Sequence, residues 1–129
     1  MKEPSSEADA IANAVIGAAI EVHRVLGPGY IESVYEEALA LELEARGISF
    51  SRQCAVTVRY KGKEIGKARL DFLVGDLVVL EIKAVDALAP VHRAQLISYL
   101  RSTGLELGLL INFNQEILRD GIRRVANTR

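Results

Sequence analysis

Three ionisable residues lie where a buried strand ordinarily carries none. They are Asp71, Glu81 and Lys83, inside Leu70-Asp71-Phe72-Leu73-Val74-Gly75-Asp76-Leu77-Val78-Val79-Leu80-Glu81-Ile82-Lys83. Glu81 and Lys83 are two apart, so on a strand both side chains leave the same face. Buried charge is costly unless it is paired or binds a metal. One reading is a structural ion pair between Glu81 and Lys83, with Asp71 on a solvated edge. The other is a cation site. Hard divalent ions such as Mg²⁺ or Mn²⁺ take carboxylate oxygens, and few carboxylates are needed when a phosphate completes the shell. A lysine beside such an ion can position and deprotonate a water, or stabilise charge on the phosphate.

The elements around these residues decide whether they meet. Two apolar runs flank Gly75-Asp76 and read as a β-hairpin. A strict two-residue turn would set Asp71 opposite Leu80 and point it away from Glu81. Sharing a face requires a three-residue loop or a bulge near Asp71, so the sequence predicts an odd residue in this hairpin. Upstream, residues 50–60 alternate, with Cys54, Val56, Val58 and Tyr60 on one face and Ala55, Thr57 and Arg59 on the other, as in a half-buried strand. Lys61-Gly62-Lys63 turns it into a strand from about Glu64 to Val74, and the three strands make an antiparallel meander.

Pro90 opens a helix and Gly104 closes it. On it Gln95 and Tyr99 are one turn apart, with His92 and Arg93 a turn earlier. Gln95 could hold a phosphate or a metal-bound water; a plain surface glutamine is the alternative. Leu107-Gly108-Leu109-Leu110-Ile111 is almost wholly apolar and reads as a central strand covered on both faces. Its place after a helix suits a right-handed crossover to a parallel neighbour. The segment Ile117 to Ala126 fits a short strand or a helix equally.

Two helices precede the sheet. Ser6 and Asp9 read as a capping box for a helix to about Leu26. Its apolar stripe is Ala8, Ile11, Ala12, Val15, Ala18, Ala19, Val22 and Leu26. His23 falls in that arc, either as a hydrogen-bonded core residue or as an accessory of an active site. Gly27-Pro28-Gly29 stops the helix, and a second runs from about Tyr30 to Arg46. Its apolar arc holds Ile31, Val34, Tyr35, Ala38, Leu39, Leu41, Leu43 and Ala45. Glu32 lies inside the arc and Glu36 at its edge, whereas Glu37 and Glu44 face solvent and Glu42 reaches water near the helix end.

Composition bounds the function. At 129 residues, half of them hydrophobic and 26% charged, the chain reads as one folded domain over residues 1–129 and not as a disordered segment. No apolar run reaches the ~20 residues of a membrane span. Met1-Lys2-Glu3-Pro4-Ser5-Ser6 lacks the apolar core of a signal peptide, so the expectation is a cytoplasmic protein with no membrane partner. The single Cys54 excludes an internal disulfide and reads as a buried, inert thiol. The net charge of −1 hides an asymmetry: residues 1–46 hold nine acids and three bases, and residues 47–129 hold eight acids and thirteen bases. Arg59, Lys61, Lys63, Lys67 and Arg69 surround one hairpin, either as phosphate contacts or as guards of a solvated edge.

Asp71, nine residues, then Glu81-Ile82-Lys83 resembles the D…ExK signature of the PD-(D/E)xK nuclease superfamily, and the order helix, three-strand meander, helix, strand resembles its core. Gly29-Tyr30-Ile31-Glu32-Ser33-Val34-Tyr35 reads G-x-x-E-x-x-Y, and the chain resembles the bacterial GxxExxY family of that superfamily. The other matching stretches are Val22 to Gly29, Gln95-Leu96-Ile97-Ser98-Tyr99-Leu100 and Leu109-Leu110-Ile111-Asn112-Phe113, so the likeness covers nearly the whole chain after residue 8. Leu70 stands where the superfamily name has proline.

The resemblance implies an α/β, restriction-endonuclease-like core: a central mixed sheet, with an antiparallel meander and a parallel strand after a crossover helix, flanked by helices. It implies metal-dependent phosphodiester hydrolysis of nucleic acid, DNA favoured over RNA, with Mg²⁺ or Mn²⁺. Carried over residue by residue, Asp71 and Glu81 bind the metal, Glu32 joins them from the helix, and the Ile82 carbonyl completes the shell. Lys83 orients or activates water, Gln95 assists, and His23, Glu36 and Tyr99 are accessory candidates. A chain this small offers little surface for base readout, which makes a homodimer a candidate assembly. The alternative function is a catalytically silent nucleic-acid-binding or protein-interaction module that keeps the fold.

Overall fold

Two helices lead into the sheet in the computed structural model, which describes residues 3–127. The first, α1 (Ser6–Leu26), starts from Ser5, whose hydroxyl accepts the Ala8 N–H. The cap therefore lies one residue before the expected Ser6. Asp9 is not a capping partner, because its carboxylate pairs with Arg124. The second, α2 (Glu32–Ala45), begins two residues later than expected. Ile31, Leu41 and Ala45 do not join the core: Ile31 and Leu41 are 70% and 67% exposed. Ile31 precedes the first helical turn, and the stripe that packs inward is Tyr35, Leu39, Ala40 and Leu43.

Five strands follow: β1 (Phe50–Tyr60), β2 (Lys63–Val74), β3 (Val78–Lys83), β4 (Leu107–Asn112) and β5 (Ile122–Ala126), with α3 (Pro90–Thr103) between β3 and β4. Their spatial order is their chain order. β1, β2 and β3 form the expected antiparallel meander, and β4 lies parallel to β3 beyond the crossover helix. The ambiguous segment resolves into a 3-10 turn, Leu118–Gly121, and β5, antiparallel to β4. Gly121 makes that reversal possible, because a Cβ there would collide with the Asn112 carbonyl oxygen.

The two faces of the sheet are covered differently. Phe72, Val74, Val78, Leu80, Ile82, Leu109 and Ile111 pack under α1 and α2. Leu70, Val79, Leu110 and Val125 pack under Leu96 and Leu100 of α3. β4 is buried throughout, as its apolar run requires. Gly108 lets α3 approach closely, since a Cβ there would lie 2.7 Å from Leu96 Cδ1.

β2 is twice as long as β3, at twelve residues against six, and before Leu70 it pairs with β1 alone. The overhanging β1–β2 arm leaves the layered core. Tyr60, placed on the buried face by alternation, is 64% exposed, because the arm's end lies beyond the helices, with the Lys61 ammonium 5.7 Å from the ring centre. Cys54 is partly buried at the rim of the core under α3.

Candidate active site

The hairpin between β2 and β3 sets the geometry. The chain reverses over Gly75 and Asp76, both with φ of 58°, and the Leu77 N–H closes the turn on the Val74 carbonyl at 3.1 Å. Gly75 has to be small, because a Cβ would lie 2.5 Å from Ile11 Cδ1. Strand pairing resumes not at Leu77 but between Val74 and Val78. Leu77 is therefore the odd residue that the hairpin was expected to contain. It shifts the register by one, so that Asp71 faces Glu81 and not Leu80.

β2 and β3 stop pairing at Phe72–Leu80, one step before these acids. The side chains replace the ladder there. The Asp71 N–H donates to Glu81 Oε2 at 2.9 Å, and the Ile82 N–H donates to Asp71 Oδ2 at 2.8 Å. Each carboxylate thus satisfies a backbone donor that the diverging strands would otherwise strand. One oxygen of each is spent in this way. The second oxygen of Glu81 accepts no protein hydrogen bond, yet among the described residues no buried side-chain oxygen lacks a partner, so that oxygen reaches solvent.

Glu32 comes to the pair as the first residue of α2. Tyr35, one turn later, fixes where that helix begins. Its hydroxyl donates to the Gly27 carbonyl at 2.5 Å and accepts the Tyr30 N–H at 3.2 Å, while its ring stacks on Phe113 at 4.7 Å. In the stretch Gly29 to Tyr35, the tyrosine anchors the link between helices and the glutamate is the group so placed. Gly29, at φ of 113°, supplies a backbone conformation that other residues rarely adopt.

The acids share one electrostatic environment. Burial pushes the Glu81 carboxyl up to about 8, with the Asp71 charge adding to it and the Asp71 N–H and Lys83 opposing it. Asp71 is raised by burial, against the Ile82 N–H and Lys83. Glu32 is raised by burial and by Asp71, again with Lys83 opposing. Lys83 is therefore the cation common to all three acids. Tyr99 on α3 is raised by its own burial and then by the charges of Glu81 and Asp71, so its phenol lies within their field.

The remaining candidates divide. Glu36 borders the site: it is held by Arg52 Nη2 at 2.9 Å and Gln53 Nε2 at 3.0 Å, and its charge is felt at Glu32 and Asp71. Gln95 is exposed on α3, one turn before Tyr99, with no side-chain hydrogen bond among the described residues. His23 is not brought to the acids; its Nε2 lies 2.6 Å from the Gln115 carbonyl oxygen, as a hydrogen-bonded core histidine does.

Two neighbours escaped the sequence reading. Arg52 forks between Glu36 and Glu37 and lies 5.9 Å from the centre of the Phe72 ring. Gln53 has φ of 52° and faces Asp71 at a gap in the β1–β2 ladder, between Arg52–Phe72 and Cys54–Leu70. Across that gap the strands exchange faces, since Phe72 packs under α1 and α2 while Leu70 packs under α3. A glutamine in an alternating run carries no signal of such a kink. The charge of Arg52 was visible, but its partners lie sixteen and fifteen residues earlier and only folding brings them close.

No group of three or more His, Cys, Asp or Glu side chains among the described residues closes into a metal cage by itself. The donors present nevertheless fit a hard divalent cation that keeps water or phosphate in its shell: two carboxylates with oxygens to spare, a third nearby, and all three raised by burial with neighbouring negative charge adding to it.

Among solved structures, the crystal structure of an alkaline exonuclease (LHK-Exo) from Laribacter hongkongensis superposes with a TM-score of 0.52 at 17% identity, over 98% of this chain and 72% of that one. The likeness is one of fold. No curated protein matches the sequence. A model of the PD-(D/E)XK nuclease superfamily matches residues 9–125, a span that starts within α1 and includes α2, the whole meander, α3 and β4. On that match the chain belongs to the PD-(D/E)XK nuclease superfamily.

Proposed function

We propose that the protein is a metal-dependent nuclease that hydrolyses phosphodiester bonds, acting as a single domain on nucleic acid, with DNA ahead of RNA. The observation that carries this reading is the exchange between Asp71 and Glu81, in which each buried acid caps a backbone N–H and presents further oxygen to the same opening. Asp71 and Glu81, with Glu32 and the Ile82 carbonyl, would hold Mg²⁺ or Mn²⁺, which when bound supplies positive charge to the scissile phosphate and acidifies water.

The chain's own groups do the positioning. The Lys83 ammonium, one strand position beyond Ile82, offsets the acids and would hold a phosphate oxygen or orient the attacking water. Tyr99, whose phenol feels the charges of Glu81 and Asp71, would hydrogen-bond the substrate phosphate or its water, and Gln95, one turn before it on α3, would assist. Arg52 and Gln53 hold Glu36 at the site's border, and Tyr35 keeps the start of α2, hence Glu32, in place.

The test is Mn²⁺ calorimetry on the wild type beside Asp71→Asn, with DNA and RNA cleavage assayed on the same preparations. Metal binding and metal-dependent cleavage should be present in the wild type and lost in the variant. A wild type that binds no Mn²⁺, with or without nucleic acid, would overturn the reading and leave the acids as structure. Metal binding without cleavage of any DNA or RNA would favour a silent binding module.

A further inference from the structure

The β1–β2 arm and the end of α3 enclose a second cleft, of about 430 Å³, lined by Thr57, Arg59, Arg101 and Ser102. Its chemistry is uniform: two guanidinium groups, two hydroxyls and no carboxylate. Neither arginine has a hydrogen-bond or ion-pair partner among the described residues. Arg24, Arg46, Arg52 and Arg124, by contrast, all pair with acids.

Guarding an edge strand would account for lysines at the arm's tip. It does not account for two arginines, from two separate elements, converging on one concavity. The arm bends where this happens, because the β1–β2 register shifts between Val58 and Arg59. The surroundings reinforce the sign. Residues 54–70 carry five of the chain's sixteen Lys and Arg but one of its seventeen Asp and Glu, in a protein of net charge −1.

The cleft also lies along the strand that passes the acids. Thr57 is four positions beyond Gln53, the residue facing Asp71. At the rise of a strand that is about 13 Å, or roughly four nucleotides at ~3.4 Å per step. On α3, Arg101 and Ser102 follow Tyr99 within one turn. Planar guanidinium forks and hydroxyl donors suit a phosphodiester oxygen pair.

We propose that this cleft binds a backbone phosphate of the nucleic-acid strand, about four nucleotides from the phosphate held at Asp71 and Glu81. The proposal rests on the nuclease reading for its ligand. It gives a near-neutral chain a local electrostatic footprint, and it makes the β1–β2 arm the element that aligns the strand.

The test is fluorescence anisotropy in EDTA, where no strand is cut, with labelled single-stranded DNA of two lengths, a dinucleotide and a twelve-residue oligonucleotide, titrated at several salt concentrations. The proteins are the wild type, Arg59→Gln/Arg101→Gln, Arg59→Lys/Arg101→Lys, and Arg119→Gln as a charge control outside the cleft. For the longer strand the Gln pair should bind about tenfold more weakly and lower the slope of log K against log salt by about 0.7, the loss of one phosphate contact. The Lys pair should keep most of the slope, and the dinucleotide, too short to span both places, should bind more weakly than the longer strand. All three substituted positions are exposed, so circular dichroism should show unchanged folding. An unchanged slope in the Gln pair, an equal fall in Arg119→Gln, or a dinucleotide bound as tightly as the longer strand would overturn the cleft while leaving the nuclease reading intact. A wild type with no salt-dependent affinity for either strand would overturn both.

Discussion

Replacing Glu81 by glutamine should make the metal-free protein more stable, and increasingly so as pH rises. The side chain keeps its shape, and the amide oxygen can still accept the Asp71 N–H. What is lost is a buried charge next to Asp71. In the unfolded chain this carboxyl gives up its proton near pH 4.5, and in the folded chain near about 8. Below the first value it is protonated in both states and contributes no difference. Between the two values the unfolded chain releases the proton while the folded chain retains it, so wild-type stability falls with rising pH until the folded carboxyl also ionises. Glutamine has no proton to lose. The variant should therefore lead the wild type by about 3 kcal/mol at about pH 7 and by about 5 kcal/mol above about pH 9, with almost no lead near pH 4. For a chain of this size the neutral-pH gap is a rise in Tm on the order of 10 °C. The assay is urea unfolding of both proteins in EDTA across that pH range. A gap that stays flat with pH, or a wild type more stable than the variant at about pH 8, would refute the account of Glu81. Added Mn²⁺ should narrow the gap, because only the wild type keeps both carboxylates to bind it.

Tyr35→Phe removes the hydroxyl that bonds Gly27 and Tyr30. It should cost about 1 kcal/mol in urea titrations and lower cleavage by more than that loss of folded protein explains, because Glu32 shifts with the start of α2; unchanged specific activity would separate Tyr35 from the site. At Gln53, with φ of 52°, Gln53→Gly should be more stable than Gln53→Ala by about 1 kcal/mol. Equal stability of the two variants would mean that the left-handed conformation opposite Asp71 carries no strain.

The sequence alone was enough for the helices, the meander and the buried crossover strand, because these follow from local rules. An apolar stripe at helical spacing marks α1, Pro90 and Gly104 bracket α3, and an unbroken apolar run marks β4. It was also enough for the unusual acids, since a charge inside a buried strand is conspicuous wherever it falls. Even the extra residue in the hairpin followed from requiring Asp71 and Glu81 to share a face, although its place at Leu77 did not. Errors fell where solvent exposure depends on what lies beyond the element. Tyr60 alternates correctly yet lies on the arm beyond the helices, and Ile31 lies just outside the helix whose stripe it was assigned to. Only the tertiary structure decided that His23 turns to Gln115 while Tyr99 faces the acids, because either residue could have met them on spacing alone. It alone set Gln53 in a left-handed conformation opposite Asp71, and brought Arg59 of β1 to Arg101 of α3 across forty-two residues of chain. Such contacts join distant segments, and their physics of burial, pairing and strain exists only once those segments are packed.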